Sequence, residues 1–316
     1  MKKLISSLAL SFGMFTGGLV ISMTVTMASA DDLNPSGLRG LGKPASDVQP
    51  NILFIFTDDH AYQSISAYGS KINKTPNIDR LAREGLRFDR CYVTNSICGP
   101  MRAVIQTGKY SHINGFCVNG NKFDGTQQTF PKLLQKAGYQ TAVVGKWHLG
   151  NAPTTPLEHG FDIHIPNVPS NWRTFHGPFG MKNLKSQKGD YLTDRLTDEA
   201  IKWIDKKKDQ PFFLYMSHFA VHDPIQGRSD LVKKYEKKLT QTTTSDSADF
   251  ILEGNPDNPD NPTREELNEL IQTREFARHK VLPRGTIKIK QKQDNPEFAA
   301  RLEGVDQSRG RLTKQL

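Results

Sequence analysis

The sequence is poor in cysteine, with only Cys91, Cys98 and Cys117 among 316 residues. An odd count rules out complete disulfide pairing and leaves one thiol to explain. After residue 30 no further apolar run reaches membrane-spanning length, which excludes a polytopic membrane protein. No internal repeat occurs, so a solenoid is excluded. Lys and Arg number 42 against 33 Asp and Glu, for a net charge of +9. Yet there is no nucleic-acid motif and no basic stripe interleaved with aromatics, so no nucleic-acid partner is expected. The excess of base fits an anionic substrate, and a solvated surface explains it equally simply. Hydrophobic residues make up 36% and charged residues 24%, enough for one large α/β domain or two ordinary ones. Mean hydropathy is −0.55, and most of the polarity lies after residue 225.

Residues 1–30 have the pattern of a secretory signal peptide. Lys2 and Lys3 form its positive start, and Leu4 to Met27 is apolar or small. Ala28-Ser29-Ala30 is an A-x-A cleavage site, followed by Asp31-Asp32. Residues 31–50, with Pro35, Gly37, Gly40, Gly42 and Pro44, read as a polar leader. The expectation is an exported protein, periplasmic or extracellular, with no stable membrane anchor.

Three apolar runs end abruptly in polar residues. Asn51 to Phe56 delivers Thr57, Asp58, Asp59 and His60; Tyr139 to Gly145 delivers Lys146, Trp147 and His148; Pro211 to Met216 delivers Ser217 and His218, with His222 beyond. Short continuous apolar runs are the signature of strands buried on both faces. Helices are expected from Thr75, over Arg102 to Gly108, over Phe130 to Ala137 with Gly138 as its stop, and over Leu192 to Lys207. Phe88 to Val93 reads as a further strand, and 150–189 as loop. After Ile225, a Lys-dense stretch at 231–240 gives way to a Thr, Ser, Asp, Asn and Pro-rich one. A short helix is expected at Glu265–Thr273, a short strand at Thr286–Lys290 and a helix at Phe298–Leu316. The alternation predicts a mostly parallel α/β sheet with helices on both faces. In such sheets ligands bind at the carboxyl ends of the strands.

Cys98-Gly99-Pro100-Met101-Arg102 matches C-x-P-x-R. Downstream stand Gly145-Lys146-Trp147-His148 and Ser217 to Pro224, and upstream Asp58-Asp59. In this order the segments resemble the type I, formylglycine-dependent sulfatases, from about Asn51 to Leu316. The resemblance implies an alkaline-phosphatase-like fold and hydrolysis of sulfate esters, on a sulfated small molecule or glycan. It also implies maturation by a formylglycine-generating enzyme.

The roles it implies are as follows. Cys98, oxidised to formylglycine, is the nucleophile; its hydrate has one hydroxyl to attack sulfur and a second whose deprotonation releases sulfate. Asp58, Asp59 and the modified Cys98 contact a divalent cation, usually Ca2+. Arg102, one helical turn after Cys98, stabilises local negative charge. Lys146 contacts sulfate, His148 is the base for the second hydroxyl, and His222 helps the alcohol leave. Read singly, these residues are ordinary. Asp58-Asp59 suits a helix N-cap, Cys98 an inert buried thiol, and Lys146 and His148 a surface beside a core Trp. With Cys98 consumed, Cys91 and Cys117 are left as a candidate pair.

Two features depart from the family. Met101 stands where a small residue is usual. No strand ending in Asp-Asn-Gly follows residue 225; Asp257-Asn258, Asp260-Asn261 and Asp294-Asn295 lack an apolar strand before them. The expectation is therefore a catalytic domain over 51–316, partial, with 226–316 loop-rich and basic. Two carboxylates fall short of the roughly six to eight oxygens calcium takes, so weak activity or none is expected of the chain as it stands. A sheet lacking later strands should also leave an open edge. The alternatives are a phosphonate or phosphate ester hydrolase of the same superfamily, or an inactive truncated remnant.

Overall fold

The computed structural model describes residues 6–11, 21–27, 49–166, 173–241, 250–254, 262–279, 281–283, 286–290 and 292–316. Two units are present: Met1–Glu236 together with Pro296–Leu316, and Lys237–Asn295.

The first unit is built on a six-stranded sheet. Its strands are β1 (Ser6–Ser11), β2 (Ile21–Met27), β3 (Ile52–Phe56), β4 (Gln140–Gly145), β5 (Ile163–Ile165) and β6 (Phe212–Ser217), in the order β1-β2-β3-β6-β4-β5. β3, β6, β4 and β5 run parallel, while β1 and β2 are antiparallel to each other and to β3. One edge of β3 is paired with β2. Both added strands come from the segment read as a signal peptide, and cleavage after Ala30 would remove them.

The three central strands explain the two-sided core. Leu53, Ile55, Ala142, Val144, Phe212, Leu214 and Met216 join one buried cluster; Phe54, Phe56, Val143, Phe213 and Tyr215 join the other. Successive side chains point to opposite faces, so an unbroken apolar run fills both. The first face is covered by helices α5 (Leu192–Lys207) and α9 (Pro296–Gln315), through Leu192, Leu196, Trp203, Leu302 and Leu312. The second carries α2 (Cys98–Thr107) and α4 (Phe130–Lys136). Earlier in the chain comes α1 (Pro76–Glu84), and between α2 and α4 the short α3 (Ser111–Asn114). α9 is fixed to α1 by Asp306, whose carboxylate accepts from the Asn77 and Ile78 backbone N–H groups and from Asn77 Nδ2. That satisfies donors left over in α1's first turn.

Three expectations are corrected. Phe88 to Val93 is irregular, with Asp89, Arg90 and Tyr92 exposed. The helix expected from Arg102 begins at Cys98 itself. The 150–189 stretch contains β5, only three residues long and half-buried at the sheet's edge.

In the second unit a two-stranded antiparallel ribbon pairs β7 (Phe250–Glu253) with β8 (Ile287–Lys290). It is accompanied by α7 (Arg264–Leu270) and α8 (Arg274–His279); α6 (Ser229–Thr240) precedes the ribbon in the chain. Parts of the polar 242–261 stretch lie outside the described residues. Among the described residues no helix is long and apolar enough to cross a membrane.

Candidate active site

The parallel strands β3, β4 and β6 end on a common rim, and backbone hydrogen bonds stitch the three loops leaving it. His218 N–H donates to Phe56 O at 2.8 Å, and Lys146 N–H to Ser217 O at 2.8 Å. Asp58 N–H donates to Ala220 O at 2.9 Å, and Val221 N–H to Asp58 O at 2.7 Å. Gly145 permits the closest approach, since a Cβ at its φ of 118° would overlap the Ser217 carbonyl. The rim is therefore a fixed platform on which side chains from distant segments meet.

Asp58 is its centre and is fully buried. Lys146 Nζ donates to Asp58 Oδ2, and Arg102 Nη2 lies 3.4 Å from the same oxygen. Burial alone would raise the Asp58 carboxyl; Arg102 and Lys146 more than offset it and hold it below the usual range. Arg102 is buried too. Its Nη1 donates to Lys146 O at 2.7 Å and to Ser217 Oγ at 2.6 Å, and its guanidinium sits 4.8 Å from the centre of the Phe56 ring. Asp58 Oδ1 is buried with no hydrogen-bond partner. An orphaned anionic oxygen suits a cation.

The rest of the rim is more open. Asp59, with φ of 55°, stays half-exposed, and its Oδ2 lies 3.6 Å from His222 Nε2. Partial burial and the Asp58 charge raise its carboxyl. His148 also has a positive φ, 64°, and opens to solvent on one side. Surrounding protein, Lys146 and Arg102 nevertheless push its imidazole down to about 4, so it is neutral at physiological pH. Cys98 begins α2, half-buried, one turn before Arg102, and helical side chains lean toward the N-terminus. Arg102 thus reaches from residue 98's own face of the helix to Asp58. The Cβ position of Gly99 lies 3.6 Å from His148 O.

The structure accordingly brings Asp58, Arg102 and Lys146 into direct contact, pairs Asp59 with His222 and sets His148 near both groups, while Cys98 lies one helical turn before Arg102 with its side chain against Asn119. Sequence reasoning missed Asn119 against Cys98 and Ser217 between Arg102 and Lys146 O. Ser217 was visible as a strand end, whereas Asn119 sits in a turn with no motif to mark it. All three cysteines are free, so the Cys91–Cys117 pair is not formed. Among the described residues no group of three or more His, Cys, Asp or Glu is arranged around a metal position. Asp58 and Asp59 fit part of the shell of a hard divalent cation, which takes about six to eight oxygens.

A mostly parallel sheet with helices on both faces and charged groups gathered at its carboxyl rim defines an α/β protein of the alkaline-phosphatase-like class. The chain belongs to the Sulfatase family, whose model matches residues 50–316. It is 39% identical over 227 residues to N-acetylglucosamine-6-O-sulfatase of Bacteroides thetaiotaomicron, covering 63% of this chain and 40% of that protein. It is 34% identical over 221 residues to human N-acetylgalactosamine-6-sulfatase, covering 59% and 42%. A protein solved in complex with its substrate D-glucosamine-2-N,6-O-disulfate superposes with a TM-score of 0.60 at 30% identity, covering 85% of this chain and 62% of that one. The chain therefore spans about two fifths of the length of these curated relatives.

Proposed function

We propose that the protein is an exported sulfuric ester hydrolase whose nucleophile is a formylglycine made from Cys98 by a formylglycine-generating enzyme. Its proposed substrates are sulfated carbohydrates, 6-O-sulfated amino sugars first among them. One observation carries the reading: the guanidinium of Arg102, one helical turn after residue 98, and the Lys146 ammonium converge on Asp58. Two fixed cations beside a nucleophile position suit an ester whose reacting centre is ringed by anionic oxygens.

When formed, the hydrated aldehyde at residue 98 supplies one hydroxyl to attack sulfur and a second whose deprotonation releases sulfate. A divalent cation held in part by Asp58 and Asp59 would neutralise sulfate oxygens. The chain's own groups divide the remaining work. Arg102 is locked by Asp58, Lys146 O and Ser217 and presents fixed positive charge. Lys146, at the edge of solvent, can reach sulfate. His148, held neutral, accepts a proton from residue 98's side chain. His222, 3.6 Å from Asp59, donates one to the departing alcohol oxygen. The 6-sulfatase names of the two relatives support the substrate class.

Paired assays on the complete protein test the reading, with 4-nitrophenyl sulfate against a 4-nitrophenyl phosphonate ester, then 6-O-sulfated against unsulfated N-acetylhexosamines. Sulfate ester turnover should dominate and should release free sulfate from the 6-O-sulfated sugar. Preference for the phosphonate would replace this function with the other hydrolase activity.

A further inference from the structure

We infer that Asn119 is a positioning residue for the side chain at position 98, and that Gly99 exists to admit it. The inference deepens the function proposed above and depends on it only where turnover is concerned.

The start of α2 lacks a local cap, for Ile97 offers no side-chain hydrogen bond. First-turn N–H groups need acceptors from elsewhere. Asn119 provides one from the 117–121 turn: its Oδ1 accepts the Gly99 N–H at 3.2 Å. Committing Oδ1 to Gly99 decides which end of the amide serves residue 98. Its Nδ2 lies 3.5 Å from Cys98 Sγ, with Oδ1 farther away at 3.9 Å. The nucleophile position therefore faces an N–H donor.

This approach needs a glycine. A Cβ at residue 99 would stand 2.5 Å from Asn119 Oδ1 and 3.0 Å from Phe116 Cε1. Other asparagines fix the segment that carries Asn119. Asn121 Oδ1 accepts the Cys117 and Val118 N–H groups at 3.0 Å each, and Asn114 Oδ1 accepts the Phe116 N–H at 2.8 Å. Asn95 Nδ2 donates to Cys117 O at 3.4 Å. Asn119 itself is exposed, so its donor stands at the open mouth of the rim. A donor aimed at a reacting side chain fixes the direction from which it attacks.

Intact protein made without the formylglycine-generating enzyme keeps Cys98 as a thiol. Alkylation of that thiol by iodoacetamide, followed by mass analysis of its peptide, reads the donor directly. Asn119→Asp keeps an acceptor for Gly99 and replaces the donor with a carboxylate. Asn119→Ala removes both, and Gly99→Ala leaves Asn119 in the chain while displacing its amide. At neutral pH the Asn119→Asp rate should fall about tenfold, because a carboxylate in place of the donor repels the sulfur anion that attacks the reagent. The two alanine variants should fall severalfold, and the double variant no further than either. A wild-type rate in Asn119→Asp overturns the inference. Should that variant not fold, Gly99→Ala, which improves helix propensity, tests the same contact, and a wild-type rate there overturns the inference equally.

After conversion, kcat per formylglycine should fall in these variants with KM little changed. An alkylation shift without any wild-type sulfatase turnover would sink the proposed function and leave this inference standing. Normal turnover with no alkylation shift would do the reverse.

Discussion

The rim has a closed half and an open half, and each holds one of two neighbouring aspartates. Asp58 and Asp59 are neighbours in sequence, yet Asp58 is fully buried between Arg102 and Lys146 while Asp59 is half-exposed beside His222. Burial opposes the charge of both; two cations reverse the balance for Asp58 only. Adjacent carboxylates thereby acquire different duties. Asp58 is locked in place by two cations, whereas Asp59 faces solvent.

The largest expected effect separates chemistry from folding. Cys98→Ala should lower sulfate ester turnover by more than about a thousandfold, because a covalent route has no substitute nucleophile. Its melting temperature should stay near wild type, since Cys98 is half-buried and makes only weak contacts. Comparable turnover in the variant would remove residue 98 from the mechanism.

Arg102→Ala attacks the closed half. It leaves Asp58 buried with one cation, strips Lys146 O and Ser217 of a donor and exposes the Phe56 ring. Breaking a buried pair typically costs about 3–5 kcal/mol, to be read from urea unfolding. Asp59→Asn, in the open half, should change stability by less than about 1 kcal/mol. Equal costs in the two variants would abolish the distinction between the halves.

Acid probes the same contrast. Burial lowers His60 to about 3 and His218 to about 4, and burial with Lys146 and Arg102 lowers His148 to about 4. Unfolded histidines titrate near 6.5, so below that pH the unfolded chain binds protons that the fold refuses. Stability should be complete above about pH 6.5 and fall as pH drops toward 4. Asp58, depressed in the fold, adds a further loss only as pH falls below its ordinary range near 4. A flat stability profile across the first window would contradict the neutral state of these rings.

Much of this was legible in the letters. The runs at Ile52–Phe56, Gln140–Gly145 and Phe212–Ser217 announced two-faced strands because nearly every residue in them is apolar or small, and the polar residue after each marked the rim. The helix Leu192–Lys207 was readable to the residue from its apolar spacing. β5 was not, because three half-buried residues carry no period. Nor was the start of α2 at Cys98, since its Gly99 N–H is capped by Asn119 from across the fold rather than by a neighbour in sequence. The seven candidate site residues could be named from motif order, but not the division between locked and open carboxylates, which tertiary burial decides.

Mass analysis of the tryptic peptide Cys91–Arg102, from protein co-produced with a formylglycine-generating enzyme, tests the central claim most directly. The expected peptide is about 18 Da lighter than encoded, with the aldehyde at residue 98. A peptide of the encoded mass, with Cys98 still open to alkylation, would contradict it.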